Sequence, residues 1–520
     1  MADYDVIVIG GGIGGLAAGG LMARDGRKTL VLEQNKRIGG FCSTFEHKGY
    51  RFDLGASIVE LADVYERFFR LMGTSLAEEV DLLPLDPIYT YLLADGTEIR
   101  YPALTEAVAE EFMKISPRDA RSWLAYAEDM RGFIDIAVST LFFTPVLSFK
   151  DLVKMFADNP KVLKYLPLFV NSYQTVMEKY FKDPRILEAL CFQANYTGLP
   201  PALAPGITAM LPFCEHTGFY YCKGGMIAVP EAIRRIGQKA GMELKTGQRV
   251  TKIMVKDKRA CGVVLSDGTE ITADVVISDI SAKTLYMDLI GLSHLGPMAR
   301  AGVRSLEISV SGLMMYLGLA GRPNLASHHT IASVPVQDLN DLYLKTYAGG
   351  RLPKEQLGLI SWKTYSDPGL APNGRHTVVL TICGTYHLDG MDWDEIKKPL
   401  TDQYVDYFSQ RYIPGMKDQV EVAMLGTPKD YERDLLAPEG GAYTFSQDST
   451  HSTVFRPAAK SKSIDGLYLV GASTHPGGGV PAAIASAVIA ARLIDGHEWK
   501  RWGPARARSC LSESPFFRAG

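Results

Sequence analysis

The chain lacks most of what announces a metal site, a disulfide scaffold or a nucleic-acid surface. Its 520 residues hold seven cysteines, at 42, 191, 214, 222, 261, 383 and 510, with no CxxC pair and no metal-ligand spacing. Dispersed thiols of odd number fit a reducing compartment, where they act as small apolar packing groups. Charge of either sign is balanced, 55 Lys+Arg against 58 Asp+Glu for a net −3, so no global field recruits nucleic acid or anionic lipid. No repeat of about 20–50 residues and no low-complexity linker is present. No secretory leader pattern precedes the first strand-like run. The most apolar stretch, 133–149, is interrupted by Asp135 and Pro145 and falls short of the roughly 20 apolar residues that a spanning helix needs. These absences lead us to expect a cytoplasmic protein, with peripheral contact to the inner face of a membrane left open. The length calls for two or three domains.

What is present is glycine in a specific order. "YDVIVIGGGIGGLAAGGLMARDGRKTLVLEQNKRIGG" covers residues 4–40. Residues 6–9 read as a buried parallel strand, and Gly10, Gly12 and Gly15 then form GxGxxG between a strand and a helix. The first glycine allows the tight turn, the second lets a pyrophosphate approach the backbone, and the third lets the helix pack on the sheet. The helix start offers free N–H groups to phosphate. Residues 29–32 read as the second strand, closed by Glu33 at the offset where a carboxylate receives ribose hydroxyls. A carboxylate there repels a 2′-phosphate, which argues for an unphosphorylated ribose.

A second glycine pair, Gly39 and Gly40, follows the acid, and "GYRFDLGAS" (49–57) reads as a short strand ending at Gly55. A simple NAD site has no use for that pair. The stretch resembles the FAD-binding βαβ unit of glutathione-reductase-like flavoproteins, in the amine-oxidase and carotenoid-desaturase superfamily. Near the C-terminus, "YLVGASTHPGGGVPAAIASA" joins an apolar run to an alanine-rich helical stretch through Gly471, Thr474, His475, Pro476, Gly477, Gly479 and Pro481. With "FDLG" (52–55) and "KGGM" (223–226), it resembles the signature of phytoene desaturases and their relatives, the carotenoid isomerases and retinol saturases. Two departures stand out. Amine oxidases usually carry an acid where this chain has Ala472, and many desaturases carry Arg where it has Phe41.

The resemblance implies an α/β glutathione-reductase-like FAD domain of Rossmann type, built from 1–80, 216–300 and 456–497. It implies an α+β substrate domain with an antiparallel sheet and a helical lid, from 81–215 and 301–455, and a tail, 498–520. Non-covalent FAD would meet Gly10, Gly12, Ile13, Gly14, Gly15, Glu33, Gly39, Gly40, Phe41, Gly55, Ala56, Ser57, Val250, Gly471, Ala472, Gly479 and Val480. The implied activity is an oxidoreductase reaction on carbon–carbon bonds of a long apolar isoprenoid such as a carotenoid or retinoid: desaturation, saturation or isomerisation. An amine or amino-acid oxidase and a non-catalytic FAD-binding membrane-associated protein are the alternatives. The electron acceptor or donor has no signature in the sequence.

His475 is the best-placed titratable candidate for proton transfer, set against a structural role in holding the loop. Cys42, beside the flavin glycines, reads as packing. His328 and His329 read as a polar surface loop without a third metal ligand. Two segments suit a bilayer headgroup region. One is 136–149, with Phe142, Phe143 and Leu147. The other is the tail, which sets Trp499, Trp502, Phe516 and Phe517 beside Lys500, Arg501, Arg506, Arg508 and Arg518.

Overall fold

The computed structural model describes residues 2–495. Strand β1 (Tyr4–Ile9) forms because four β-branched residues in succession leave it no polar face, and Val6, Ile7 and Val8 are fully buried. Helix α1 (Ile13–Arg24) crosses to β2 (Thr29–Glu33), which runs parallel to β1 with Ile9 opposite Leu32. The sheet continues in the order Val250–Lys256, Arg259–Leu265, Glu270–Ser278, β1, β2, Glu243–Thr246, and Leu467–Leu469 pairs in parallel with Glu270–Ser278. Three distant stretches of chain therefore build one sheet. The C-terminal ends of its parallel strands lie along one edge, where open α/β sheets bind ligands. The helices Ala228–Lys239 and Val480–Asp495 flank α1.

A second seven-stranded sheet runs Val420–Gly426, Ser311–Leu319, His376–Gly384, Gly358–Trp362, His329–Ala332, Tyr89–Leu92, Glu98–Tyr101. All its pairings are antiparallel except His329–Ala332 with Tyr89–Leu92. The helix Trp393–Arg411 packs Trp393, Leu400, Tyr404 and Phe408 into a core with this sheet. The hairpin Thr44–His47/Tyr50–Asp53 packs Tyr50 and Phe52 against Met314, Tyr316 and Val379. A helical block follows the Glu98–Tyr101 edge strand, led by Pro117–Ile136 with Trp123 and Tyr126 buried. Buried polar groups tie it back: the Tyr89 hydroxyl donates to Glu215 Oε1 at 2.7 Å, and the Gln193 amide donates to Oε2 at 2.9 Å. Burial pushes the Glu215 carboxyl well above the usual carboxylate range.

Three expectations need correction. His328 and His329 are not on a surface loop: His329 opens a strand with neighbours on both sides and is 0% exposed, and His328 is buried beside it. Each ring pairs Nδ1 with a serine hydroxyl at 2.9 Å, Ser366 and Ser361 respectively, and burial drives both pKa values well below the ordinary range. They pack as neutral rings among Tyr221, Tyr89 and Phe219. Phe143 is 1% exposed, with the Arg67 guanidinium 4.1 Å from its ring centroid, so it is no membrane anchor. The run 160–173, whose Leu, Phe and Tyr pattern predicts one helix, breaks into a 3-10 turn Pro160–Tyr165 and a short helix Leu166–Val170; the next helix starts afresh at Tyr173, capped by Ser172. The aromatic and cationic tail lies outside the described residues.

Candidate functional site

A cleft of about 380 Å³ opens at the C-terminal edge of the parallel strands. Its walls bring together Gly10, Gly12, Ile13, Gly14, Glu33, Gly39, Gly40, Phe41, Gly55, Ala56, Val250, Gly471, Ala472, Gly479 and Val480. Gly15, Ser57 and His475 lie outside the lining. Gly15 explains its own place: a Cβ there would stand 2.0 Å from the Gly10 carbonyl oxygen, so no other residue lets α1 start this close to the turn.

The second glycine pair is bound to the first, since the Gly39 N–H donates to the Gly11 carbonyl at 2.8 Å. Phe41 continues that wall. Its carbonyl accepts the Ala56 N–H at 3.0 Å, and its ring meets Tyr431 with centroids 5.6 Å apart. Glu33 is held by backbone: Oε2 accepts from the Gly11 N–H at 2.7 Å and Oε1 from the Asn35 N–H at 2.8 Å. Two carboxylate oxygens offer about four acceptor sites, so capacity remains for ligand hydroxyls. Cys42 is buried in the wall, and burial pushes its thiol up to about 12, which matches a packing role and not a reactive one.

The loop from Gly471 into the helix Val480–Asp495 closes the other end. The Gly471 N–H donates to Ser486 Oγ at 2.7 Å, and the Ser473 hydroxyl accepts the Ala282 N–H at 3.0 Å. Arg456, which the sequence did not single out, is buried and braces this loop. Its guanidinium donates to the Ala472 carbonyl at 2.7 and 3.1 Å, and to the carbonyls of Tyr443, Ser446 and His451 at 3.1–3.2 Å. Burial lowers its pKa to about 10, so it stays charged at neutral pH. Gln447 adds a second brace, accepting the Gly478 N–H at 3.2 Å through Oε1.

His475 Nε2 stands 3.2 Å from the Leu141 carbonyl, which can only accept, so this nitrogen carries the hydrogen. Nδ1 is then a bare lone pair, buried and without a partner. Burial lowers the ring's pKa to about 4, so it is neutral at pH 7. Asp279, which follows the strand Glu270–Ser278 directly and lines the cleft, also escaped sequence reading. Its place at a strand's C-terminal end is the signal that could have found it.

The cleft fits a flavin dinucleotide: a glycine-lined wall, amides at a helix start, and a carboxylate held at the end of β2. The model of the flavin containing amine oxidoreductase family matches residues 13–495. The chain belongs to that family. It is 29% identical over 496 residues to a lycopene-forming phytoene desaturase from Pseudescherichia vulneris, an alignment covering 94% of this chain and 98% of the relative. It is 28% identical to a neurosporene-forming phytoene desaturase from Rhodobacter capsulatus, over 94% of this chain and 93% of the relative. Among solved structures, putrescine oxidase bound to putrescine matches with TM-score 0.62 at 14% identity, covering 95% of this chain and 99% of that one. Cyclohexylamine oxidase from Brevibacterium oxydans matches with TM-score 0.58 at 17% identity, covering 95% of this chain and 98% of that one. Those two share the fold. The flavin is therefore the family's cofactor, and the chain is an oxidoreductase.

Proposed function

We propose that this protein binds FAD without a covalent link and desaturates carbon–carbon bonds of a long apolar isoprenoid of the phytoene type. The observation that carries this is the similarity to phytoene desaturases along 94% of the chain, with the dinucleotide cleft intact. FAD fits better than a shorter flavin because the cleft runs unbroken from Glu33 and Val250 to Gly479 and Val480. In this reading 1–80, 216–300 and 456–497 serve the cofactor, and 81–215 with 301–455 hold the substrate.

Bound flavin supplies the two-electron acceptor for a hydride. The chain must orient the polyene, exclude water and receive the proton left on the neighbouring carbon. His475 Nδ1, on the loop between the cleft residues Ser473 and Gly479 though outside the lining itself, is the group we assign to that proton. It is neutral at pH 7, desolvated and unpaired, so its lone pair is free to accept a proton. The start of the helix Val480–Asp495 and the loop braced by Arg456 would offer N–H groups and a nearby cation to the negative charge of a reduced flavin.

A polyisoprenoid resides in a bilayer, so we assign peripheral binding to one leaflet, at the cytoplasmic face. Among the described residues no helix is long and apolar enough to cross a membrane. The contact falls just beyond 136–149, on the short helices over 149–170. There Phe149 is 68% and Val170 71% exposed, with Val153, Leu163 and Leu166 also outward and Lys150, Lys154, Lys161 and Lys164 among them.

Anaerobic titration of the yellow protein with phytoene, a retinoid and an amine, each supplied in liposomes, tests the reading. The oxidised flavin band should bleach with phytoene and persist with the amine. Bleaching by the amine alone would overturn it. A His475→Gln variant should keep its flavin and bleach at least about a hundredfold more slowly, the lower end of the range for general-base removal.

A further inference from the structure

The glycines that line the cofactor cleft also enclose a carboxyl group. An ideal Cβ on Gly12 would stand 2.5 Å from Asp279 Oδ2. One on Gly14 would stand 2.5 Å from Oδ1, and one on Gly471 2.1 Å from Oδ1. Gly471 has φ +76°, so a side chain there is disfavoured twice over. The Asp279 backbone N–H donates to the Ile9 carbonyl at 2.8 Å, which fixes its Cα at the mouth of the β1–α1 turn. Its carboxyl thus sits at the start of α1, among the amides that a dinucleotide phosphate uses. No cation faces it. From α1 and the turn only backbone groups approach, with the Gly15 amide the one that favours ionisation. From β2 comes Glu33, whose charge disfavours it. The Gly471–Ser473 segment offers no titratable group, and Cys42 in the wall stays a neutral thiol. Arg249, also on the wall, adjoins Gln248, whose N–H meets the Glu33 carbonyl at 2.8 Å.

We propose that Asp279 is protonated in the FAD complex, so that FAD binding takes up a proton and weakens as pH rises. The inference rests on the FAD reading above. A pyrophosphate keeps its negative charge across the neutral range, and an ionised carboxylate sharing its amides would repel it. A carboxylic acid in the same place donates one hydrogen bond and adds no charge. Burial, aided by Glu33, already raises the Asp279 pKa to about 7 without a ligand. The direction follows: below about pH 7 the group is neutral and the cleft accepts the anion; above it, binding must pay for protonation. Because the folded-state pKa is raised, the cofactor-free protein also loses stability as pH rises through about 7.

The test is FAD affinity of the cofactor-stripped protein, read by flavin fluorescence from about pH 6 to about pH 9, beside calorimetry in two buffers of different ionisation enthalpy. The dissociation constant should be flat below about pH 7 and rise by up to about tenfold per unit above it, with net proton uptake on binding. Asp279→Asn should bind FAD with a flat profile and more tightly than wild type at the alkaline end; Asp279→Ser, which also lacks the carboxyl, should be flat too. Parallel pH profiles in wild type and variants, or no proton uptake by wild type, would overturn the inference. If the variants do not fold, the calorimetric proton count on wild type alone decides. FAD binding that is absent at every pH would instead defeat the FAD reading itself.

Discussion

Two aspartates deep in this fold, Asp53 and Asp279, live in opposite surroundings. Every oxygen of Asp53 is occupied. Oδ1 accepts from the Met226 N–H at 2.8 Å and the Thr44 hydroxyl at 3.0 Å, Oδ2 accepts from the Tyr221 hydroxyl at 2.7 Å, and Lys363 Nζ lies 3.3 Å away. Both side chains of that ion pair are 1% exposed. Asp279 has backbone amides, no cation among the described residues, and a cleft in front of it. The first is a joint: it ties the "FDLG" strand and the "KGGM" turn to Lys363 beside the second sheet. The second is a vacancy for charge, which is of use only where something charged arrives. A buried carboxylate with all its partners holds structure; one that lacks a counter-ion and faces a cleft marks a place where ligands and protons are exchanged.

The largest effect should come from breaking the joint. Lys363→Met leaves the Asp53 charge buried beside neutral donors, and removing one partner of a buried pair typically costs about 3–5 kcal/mol. Burial lowers the Lys363 pKa while Asp53 opposes that shift, so the pair survives only as a unit. Thermal and urea unfolding of Lys363→Met against a Lys363→Met, Asp53→Asn double variant would measure it. The double variant should recover a substantial part of the loss. Additive losses would show that the two residues act separately.

Next comes the brace under the cofactor loop. Arg456→Met removes donors from four buried or part-buried carbonyls, and hydrogen bonds to a charged group are worth roughly 1.5–3 kcal/mol each. Partial rescue by water should leave a loss of about 2–4 kcal/mol, with flavin released at a lower temperature than in wild type. Equal flavin retention would confine Arg456 to folding alone.

How much of this contrast could be read from the chain depends on what enforces each residue. Gly10, Gly12 and Gly15 are dictated by local backbone geometry, so strand, turn and helix were legible within 20 positions. Asp-Gly at 95–96 and at 267–268 predicts a hairpin turn from equally local geometry, and the structure has both. Asp53 was visible inside a motif, but Tyr221 and Lys363 are brought to it by long-range folding that no local pattern encodes. Arg456 and Asp279 are single residues at element ends, with no periodicity to mark them. His328 and His329 misled because polar neighbours suggest a loop, whereas the strand they begin lies inside a sheet with both faces covered.

Glu33 sharpens the comparison from the ligand side, since it is the carboxylate we assign to ribose hydroxyls and not to phosphate. Glu33→Ala forfeits charge-assisted bonds worth roughly 1.5–3 kcal/mol, so FAD should bind about tenfold to a hundredfold more weakly. It should also remove the charge that helps keep Asp279 neutral, shifting the alkaline limb of the FAD pH profile to lower pH. Fluorescence titration reads both. Unchanged affinity after dialysis would reject the ribose role.

The smallest effect on stability, and the clearest on behaviour, belongs to the surface over 149–170. Its short helices pack inward through Phe156 and Phe169, whose ring centroids are 5.4 Å apart, and through buried Met155, Tyr165 and Leu168. Phe149, Leu163 and Val170 point outward and hold nothing in place. Replacing all three by serine should therefore shift unfolding by no more than about 0.5 kcal/mol per site, the usual range for surface changes. Each apolar side chain immersed in lipid is worth roughly 1.5–3 kcal/mol, so the triple variant should lose at least about a hundredfold in partition to liposomes while remaining yellow. Phe143→Ser should do the reverse, destabilising the protein by opening a core site while the exposed surface stays intact. Co-sedimentation at low and high salt separates the two. If wild type ignores liposomes in both, the polyene must be delivered by another route, and a small soluble substrate gains ground.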